Sequence, residues 1–120
     1  GLIINIIDQR IFFPNPEFIS YTSSKQSLMW LTQTLAQALS PQIRVCAIGP
    51  GPTLQGARQS KKDFENQSLS TPLMIGSNPE EIYKAVKFII DIPSFTGQMI
   101  TLDGGEHLDW LKKENKNFKD

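Results

Sequence analysis

A chain of 120 residues has room for one domain, and its 12 Lys+Arg against 12 Asp+Glu leave no net charge. That balance excludes recruitment of nucleic acid or an anionic membrane by bulk charge. The single cysteine, Cys46, excludes an internal disulfide and fits a reducing cytoplasm, and no apolar run reaches the ~20 residues of a membrane-spanning helix.

The first element is LIINII, residues 2–7, almost continuously apolar and β-branched. Such a run reads as a strand covered on both faces, as in a parallel sheet. Because this strand begins one residue after Gly1, the sequence reads as truncated. Residues 8–18 hold Pro14, Asn15 and Pro16 and are expected to form a loop. From Ser20 to Leu39 the pattern turns helical. Leu28, Leu31, Leu35 and Leu39 make one apolar stripe, and Ser40-Pro41 stops it. IRVCAI, residues 43–48, is a second buried strand, ended by Gly49-Pro50-Gly51-Pro52.

Residues 53–77 are polar and mixed, with a short helix expected around Lys61 to Gln67; a connector of this length is either a binding loop or a solvated link. Asn78-Pro79-Glu80-Glu81 is a helix start: Asn caps, Pro suits the first turn, and the acids meet the positive end of the dipole. Ile82, Ala85, Val86, Ile89 and Ile90 are its expected buried face, and Pro93 closes it. QMITL, residues 98–102, is a third strand, ended by Asp103-Gly104-Gly105.

The order β-α-β-α-β predicts an α/β fold with a parallel sheet. There is no GxGxxG and no GxxxxGK, so no phosphate-binding loop. The expectation is the carboxyl half of a doubly wound, Rossmann-type sheet over residues 1–108, with a polar tail over 109–120 in which Trp110 and Leu111 dock locally.

In such a sheet ligands sit beyond the carboxyl ends of the strands. Asp8 follows the first strand and Gly49 to Thr53 follow the second, so both lie at that edge. Tyr21 and Lys25 are i and i+4 on one helix face. The four groups can converge on one cleft. A phenol with a reference pKa near 10 holds its proton at neutral pH. An adjacent ammonium is expected to lower that pKa and make Tyr21 a general acid. Lys25 can also donate to ribose hydroxyls, while an ionised Asp8 can only accept or, with a raised pKa, relay a proton. That suits protonation of a ring nitrogen better than polarisation of a ketone. The ordinary readings are a solvated Tyr-Lys pair and an aspartate that merely caps a turn.

Asn5-Ile6 before Asp8, then Tyr21-Thr-Ser-Ser-Lys25, then Ile43-Arg-Val-Cys-Ala-Ile-Gly-Pro-Gly-Pro-Thr53, then Thr96-Gly-Gln-Met-Ile-Thr-Leu-Asp-Gly-Gly105 resemble the carboxyl half of short-chain dehydrogenases/reductases. The resemblance implies an oxidoreductase that uses NADP(H) or NAD(H), the preference being set in a missing region. Tyr21 would be the catalytic acid/base, and Lys25 would bind the nicotinamide ribose and lower the tyrosine pKa. Pro50, Gly51 and Thr53 would line the cofactor side. Where the family usually has serine, Asp8 stands, as in pteridine reductases; this tilts the substrate toward a reduced pterin, with a carbonyl compound as the other possibility. The amino half of the family, with its glycine-rich turn, has no counterpart here, so the first strand would have an open edge. The partners implied are a small-molecule substrate and either further copies of the chain or a missing amino-terminal half. The alternative is a non-catalytic remnant of a truncated or split reductase.

Among other residues, His107 alone cannot build a multi-histidine metal site and reads as a turn or surface residue, so no metal is expected. Arg58 and Lys61-Lys62 read as a solvated loop, with a phosphate or acidic substrate tail as the other option. Trp30 is expected at an interface or the core surface, Met29 and Met74 as core fillers, and Cys46 as a small buried residue without chemistry. Ser23 and Ser24 have no histidine to activate them.

Overall fold

The computed structural model describes residues 1–108; the tail expected over 109–120, with Trp110 and Leu111, lies outside the described residues. Three strands form one parallel sheet in the order β1-β2-β3: β1 is Leu2–Ile6, β2 is Arg44–Pro50 and β3 is Met99–Leu102. Helix α1, Ile19–Ala38, packs on β2 from one side, and helix α3, Pro79–Asp91, packs on it from the other. A shorter helix, α2, Lys61–Leu69, sits in the long connection between β2 and α3. Among the described residues no helix is long and apolar enough to cross a membrane.

The middle strand carries the core. Val45, Cys46, Ala47 and Ile48 have no exposed surface, because β2 alone has a strand on each side and a helix on each face. Cys46 and Ile48 face α3, where they meet Ala85 and Ile89 with Leu2, Ile4, Ile82 and Val86 around them. Each fully buried Ile of this cluster is worth ~1.5–3 kcal/mol over an exposed one. The Cys46 thiol is pushed up by burial against the opposing pull of Arg44, and Sγ lies 3.3 Å from the Phe95 carbonyl it donates to.

Several expectations fail at the rims. β1 is an edge strand, so Ile3 and Ile6 stay 39% and 46% exposed instead of covered on both faces. In α1 the contact line runs through Thr32 and Ala36, while Leu31 faces out; Thr32 Oγ1 donates to the Leu28 carbonyl and accepts from Asn5 Nδ2 at 3.0 Å, tying α1 to β1. β2 does not stop before Gly49-Pro50 but runs through it, since Pro50 still pairs with Leu102. Ile90 is exposed: at 100° per residue it falls about 90° from the centre of the Ile82-Ala85-Val86-Ile89 stripe. Met74 is exposed in the connection, with φ 59°, and fills no core. The helix starts are as expected: Asn78 Oδ1 accepts from Glu81 N at 2.8 Å, and Ser60 Oγ caps α2 through Asp63 N.

Candidate active site

Strand register sets the site. Ile6 pairs with Ile48, so two residues further on Asp8 and Pro50 emerge at the same height on the carboxyl edge. Asp8 then caps a 3-10 turn, Gln9–Phe12, its Oδ1 accepting from Arg10 N at 2.9 Å. The chain enters α1 through Phe18 in the left-handed region, φ 56°, and the Arg10 guanidinium lies 4.7 Å over the Phe18 ring. This entry brings the first turns of α1 beside Asp8.

The Tyr21 hydroxyl donates to Asp8 Oδ2 at 2.9 Å. One turn on, Lys25 Nζ donates to the Ile6 carbonyl at 3.0 Å, at the last residue of β1. Asp8, Tyr21 and Lys25 line one open cleft of ≈ 480 Å³, whose other wall is the loop after β2, including Pro50, Gly51 and Thr53. All six residues singled out in the sequence are therefore in one place. The loop wall is braced twice: Gly51 N donates to the Leu102 carbonyl at 2.9 Å, and Thr53 Oγ1 to the Gly51 carbonyl at 2.9 Å. Gly51 has to be glycine, because a Cβ there would lie 2.7 Å from the Asp103 backbone.

The electrostatics correct one expectation. The Tyr21 pKa is not lowered but pushed up to about 12. Burial is the largest cause, followed by the hydrogen bond to Asp8 and the repulsion of that carboxylate; Arg10 opposes them. Lys25 was expected to dominate. Its ammonium is instead engaged by the Ile6 carbonyl, 5.7 Å from the centre of the phenol ring, while the carboxylate touches the hydroxyl itself. Direct contact outweighs a charge one turn away.

Two cleft residues, and one structural carboxylate behind the loop wall, were not legible in the sequence. Arg10, whose guanidinium lies 5.5 Å over the Tyr21 ring, is placed by the turn that Asp8 caps. Gln9, on the same turn, lines the cleft and is buried. Asp103, 2% exposed at the end of β3, accepts from Gly105 N, from His107 N and from His107 Nδ1 at 2.8 Å, and the imidazole packs at a tilt against Phe12, 5.3 Å between centroids. His107 is thus a turn residue with a structural partner. Arg58, Lys61 and Lys62 are exposed and do not line the cleft. Among the described residues no group of three His, Cys, Asp or Glu could hold a metal ion.

Known proteins resemble this chain in sequence and in fold. The enoyl-(acyl carrier protein) reductase family matches residues 1–107. The short-chain dehydrogenase/reductase homolog YusR of Bacillus subtilis is 34% identical over 112 residues, covering 90% of this chain and 84% of YusR. Dihydromonapterin reductase of Escherichia coli is 28% identical over 107 residues, covering 88% of this chain and 44% of that protein. Among solved structures, the FolM alternative dihydrofolate reductase 1 of Brucella suis, in complex with NADP, superposes with a TM-score of 0.89 at 53% identity, covering 92% of this chain and 44% of that one. The chain thus spans most of YusR but less than half of the two pterin- and folate-related reductases.

Proposed function

The chain belongs to the short-chain dehydrogenase/reductase family of NAD(P)-dependent oxidoreductases, and from that premise we propose that its cleft reduces the C=N bond of a pterin-like ring, with NADPH as donor. The observation that carries this reading is the 2.9 Å hydrogen bond from the Tyr21 hydroxyl to Asp8. A carboxylate beside the reacting atom stabilises positive charge, which develops on an imine nitrogen as it takes a proton. It would oppose the negative charge that develops on a ketone oxygen. The similarity to dihydromonapterin reductase and to the NADP-bound alternative dihydrofolate reductase supports the same substrate class and the same donor.

The residues fit a nicotinamide cofactor. Lys25 has three N–H donors and uses one on the Ile6 carbonyl, which leaves donors for ribose hydroxyls. Pro50, Gly51 and Thr53 form the wall against which the nicotinamide side would rest. When bound, the reduced nicotinamide supplies hydride to the ring carbon. The chain's own residues handle the proton. Tyr21 keeps its hydroxyl protonated at neutral pH, since its pKa lies near 12, and shares that proton with Asp8. The Tyr21–Asp8 pair delivers one proton to the substrate nitrogen, and the positive charge this places on the C=N bond, offset by the Asp8 carboxylate, readies its carbon for hydride. The pair then regains a proton from solvent through the open side of the cleft. The Arg10 guanidinium lies 5.5 Å from the centre of the phenol ring and limits the rise of its pKa.

The test is NADPH oxidation with a dihydropterin, compared with a simple ketone. Tyr21→Phe is expected to lower turnover of the dihydropterin by ~10²–10⁴-fold, the usual worth of general acid–base catalysis, with NADPH affinity near normal. Turnover within threefold of the unmodified protein would remove Tyr21 from the chemistry. Faster reduction of the ketone than of the dihydropterin would overturn the substrate class.

A further inference from the structure

The 3-10 turn after β1 carries one polar group that the proton path does not use. Gln9 is 4% exposed and lines the cleft next to Asp8, Tyr21 and Lys25. Its Oε1 is buried and has no hydrogen-bond partner among the described residues. Its neighbours are engaged: Asp8 by Arg10 N and the Tyr21 hydroxyl, Arg10 by the rings of Phe18 and Tyr21, and the Ile11 carbonyl by Gln26 Nε2 at 2.6 Å. A buried amide oxygen without a partner is destabilising, and native proteins pair most such groups. An apolar side chain of the same length would fill this position without that penalty. The position therefore makes physical sense if the partner arrives with a ligand.

We propose that Gln9 is a specificity-determining residue whose carboxamide hydrogen-bonds the amide-like edge of a heterocyclic substrate held beside Asp8. The inference rests on reading the cleft as a C=N-reducing site. A carboxamide offers an acceptor and two donors side by side. It therefore complements a ring edge that presents an N–H next to a carbonyl or ring nitrogen, in the way Gln reads an adenine edge. The terminal torsion of glutamine is broad and roughly two-fold, so rotation presents either end of the amide to the cleft. A plain ketone offers only an acceptor and cannot match both. A site built to pair with a polar edge also rejects analogues that lack it, because the unpaired amide is left behind.

The experiment uses Gln9→Met, which keeps length and apolar bulk but removes the amide. Binding of pterin is followed by fluorescence quenching, and dihydropterin and ketone reduction by NADPH absorbance. Expected are a rise of about tenfold in the pterin Kd and the dihydropterin KM, one net hydrogen bond's worth, with kcat and the NADPH KM within twofold. The ketone KM is expected to stay unchanged, and Tm to stay level or rise. Pterin binding equal to that of the unmodified protein overturns the role of Gln9. So does a lower Tm with both substrates weakened together, which marks a structural residue. If the unmodified protein reduces no dihydropterin, the functional reading itself fails; if it does and Gln9→Met matches it, only the role of Gln9 fails.

Discussion

Asp8 and Asp103 both follow strands on the carboxyl edge of one sheet, and they are used in opposite ways. Asp103 is buried, and its two oxygens accept from two backbone N–H groups and an imidazole, all within four residues of it in sequence. Asp8 is half-buried, accepts from one backbone N–H, and points its second oxygen at a phenol thirteen residues away. The first is closed by its own turn, lies close against Gly51, and accepts from His107, whose ring packs on Phe12. The second keeps lone pairs and solvent access, which is what proton handling requires. Position at a strand end does not decide between structure and chemistry; the completeness of the local hydrogen-bonding does.

The comparison breaks or sharpens in four ways. The largest effect is expected for Asp103→Ala, which strands two N–H groups and the imidazole; at ~1–3 kcal/mol per buried group, urea unfolding should register a loss of about 4 kcal/mol. A loss under about 1 kcal/mol would mean that Asp103 is no keystone. Next, Asp8→Asn is expected to cut dihydropterin turnover by roughly 100-fold while moving the unfolding midpoint little, because its bonds lie at the open cleft. Equal damage to stability and turnover would erase the contrast between the two carboxylates.

His107→Leu should be milder than Asp103→Ala, about 1.5 kcal/mol in the same urea experiment, since both backbone donors to Asp103 survive. A cost matching Asp103→Ala would assign the whole effect to the imidazole. The smallest effect is spectroscopic. Tyr21 should ionise near pH 12, and Asp8→Asn should bring it down, as followed by phenolate absorbance. The sign for stability follows from the raised folded value: the native state holds the proton longer than the unfolded chain, so the contribution is fully present below pH 10 and fades as pH climbs from about 10 to about 12. A Tyr21 titration unmoved by Asp8→Asn would contradict the hydrogen bond as a cause.

Much of this was legible because it is local. Nearly continuous apolar runs mark β1 and β2, a leucine stripe marks α1 and a capping Asn with its apolar face marks α3, each within a residue or two, and the i, i+4 spacing of Tyr21 and Lys25 places both on one helix face. The rims were not legible. Leu31 and Ile90 are as apolar as their buried neighbours, and only the packing partner tells them apart. Thr32, polar in sequence, is fully buried because Asn5 and the Leu28 carbonyl satisfy it across the α1–β1 contact. Gln9 and Arg10 gave no signal, since a three-residue Asp-Gln-Arg string acquires meaning only once Asp8 folds it into a turn over Phe18 and Tyr21.

By itself the sequence determined the parallel α/β order and the gathering of an acid, a phenol and an amine at one sheet edge, because strand and helix periods dictate where successive side chains point. Only the tertiary structure decided the direction of the Tyr21 pKa, the closure of Asp103 by its own turn and the burial of Gln9 Oε1 without a partner among the described residues. Those depend on contacts of about 3 Å that the folded chain alone fixes, and electrostatic coupling at that range takes its sign from the charge of the nearest neighbour.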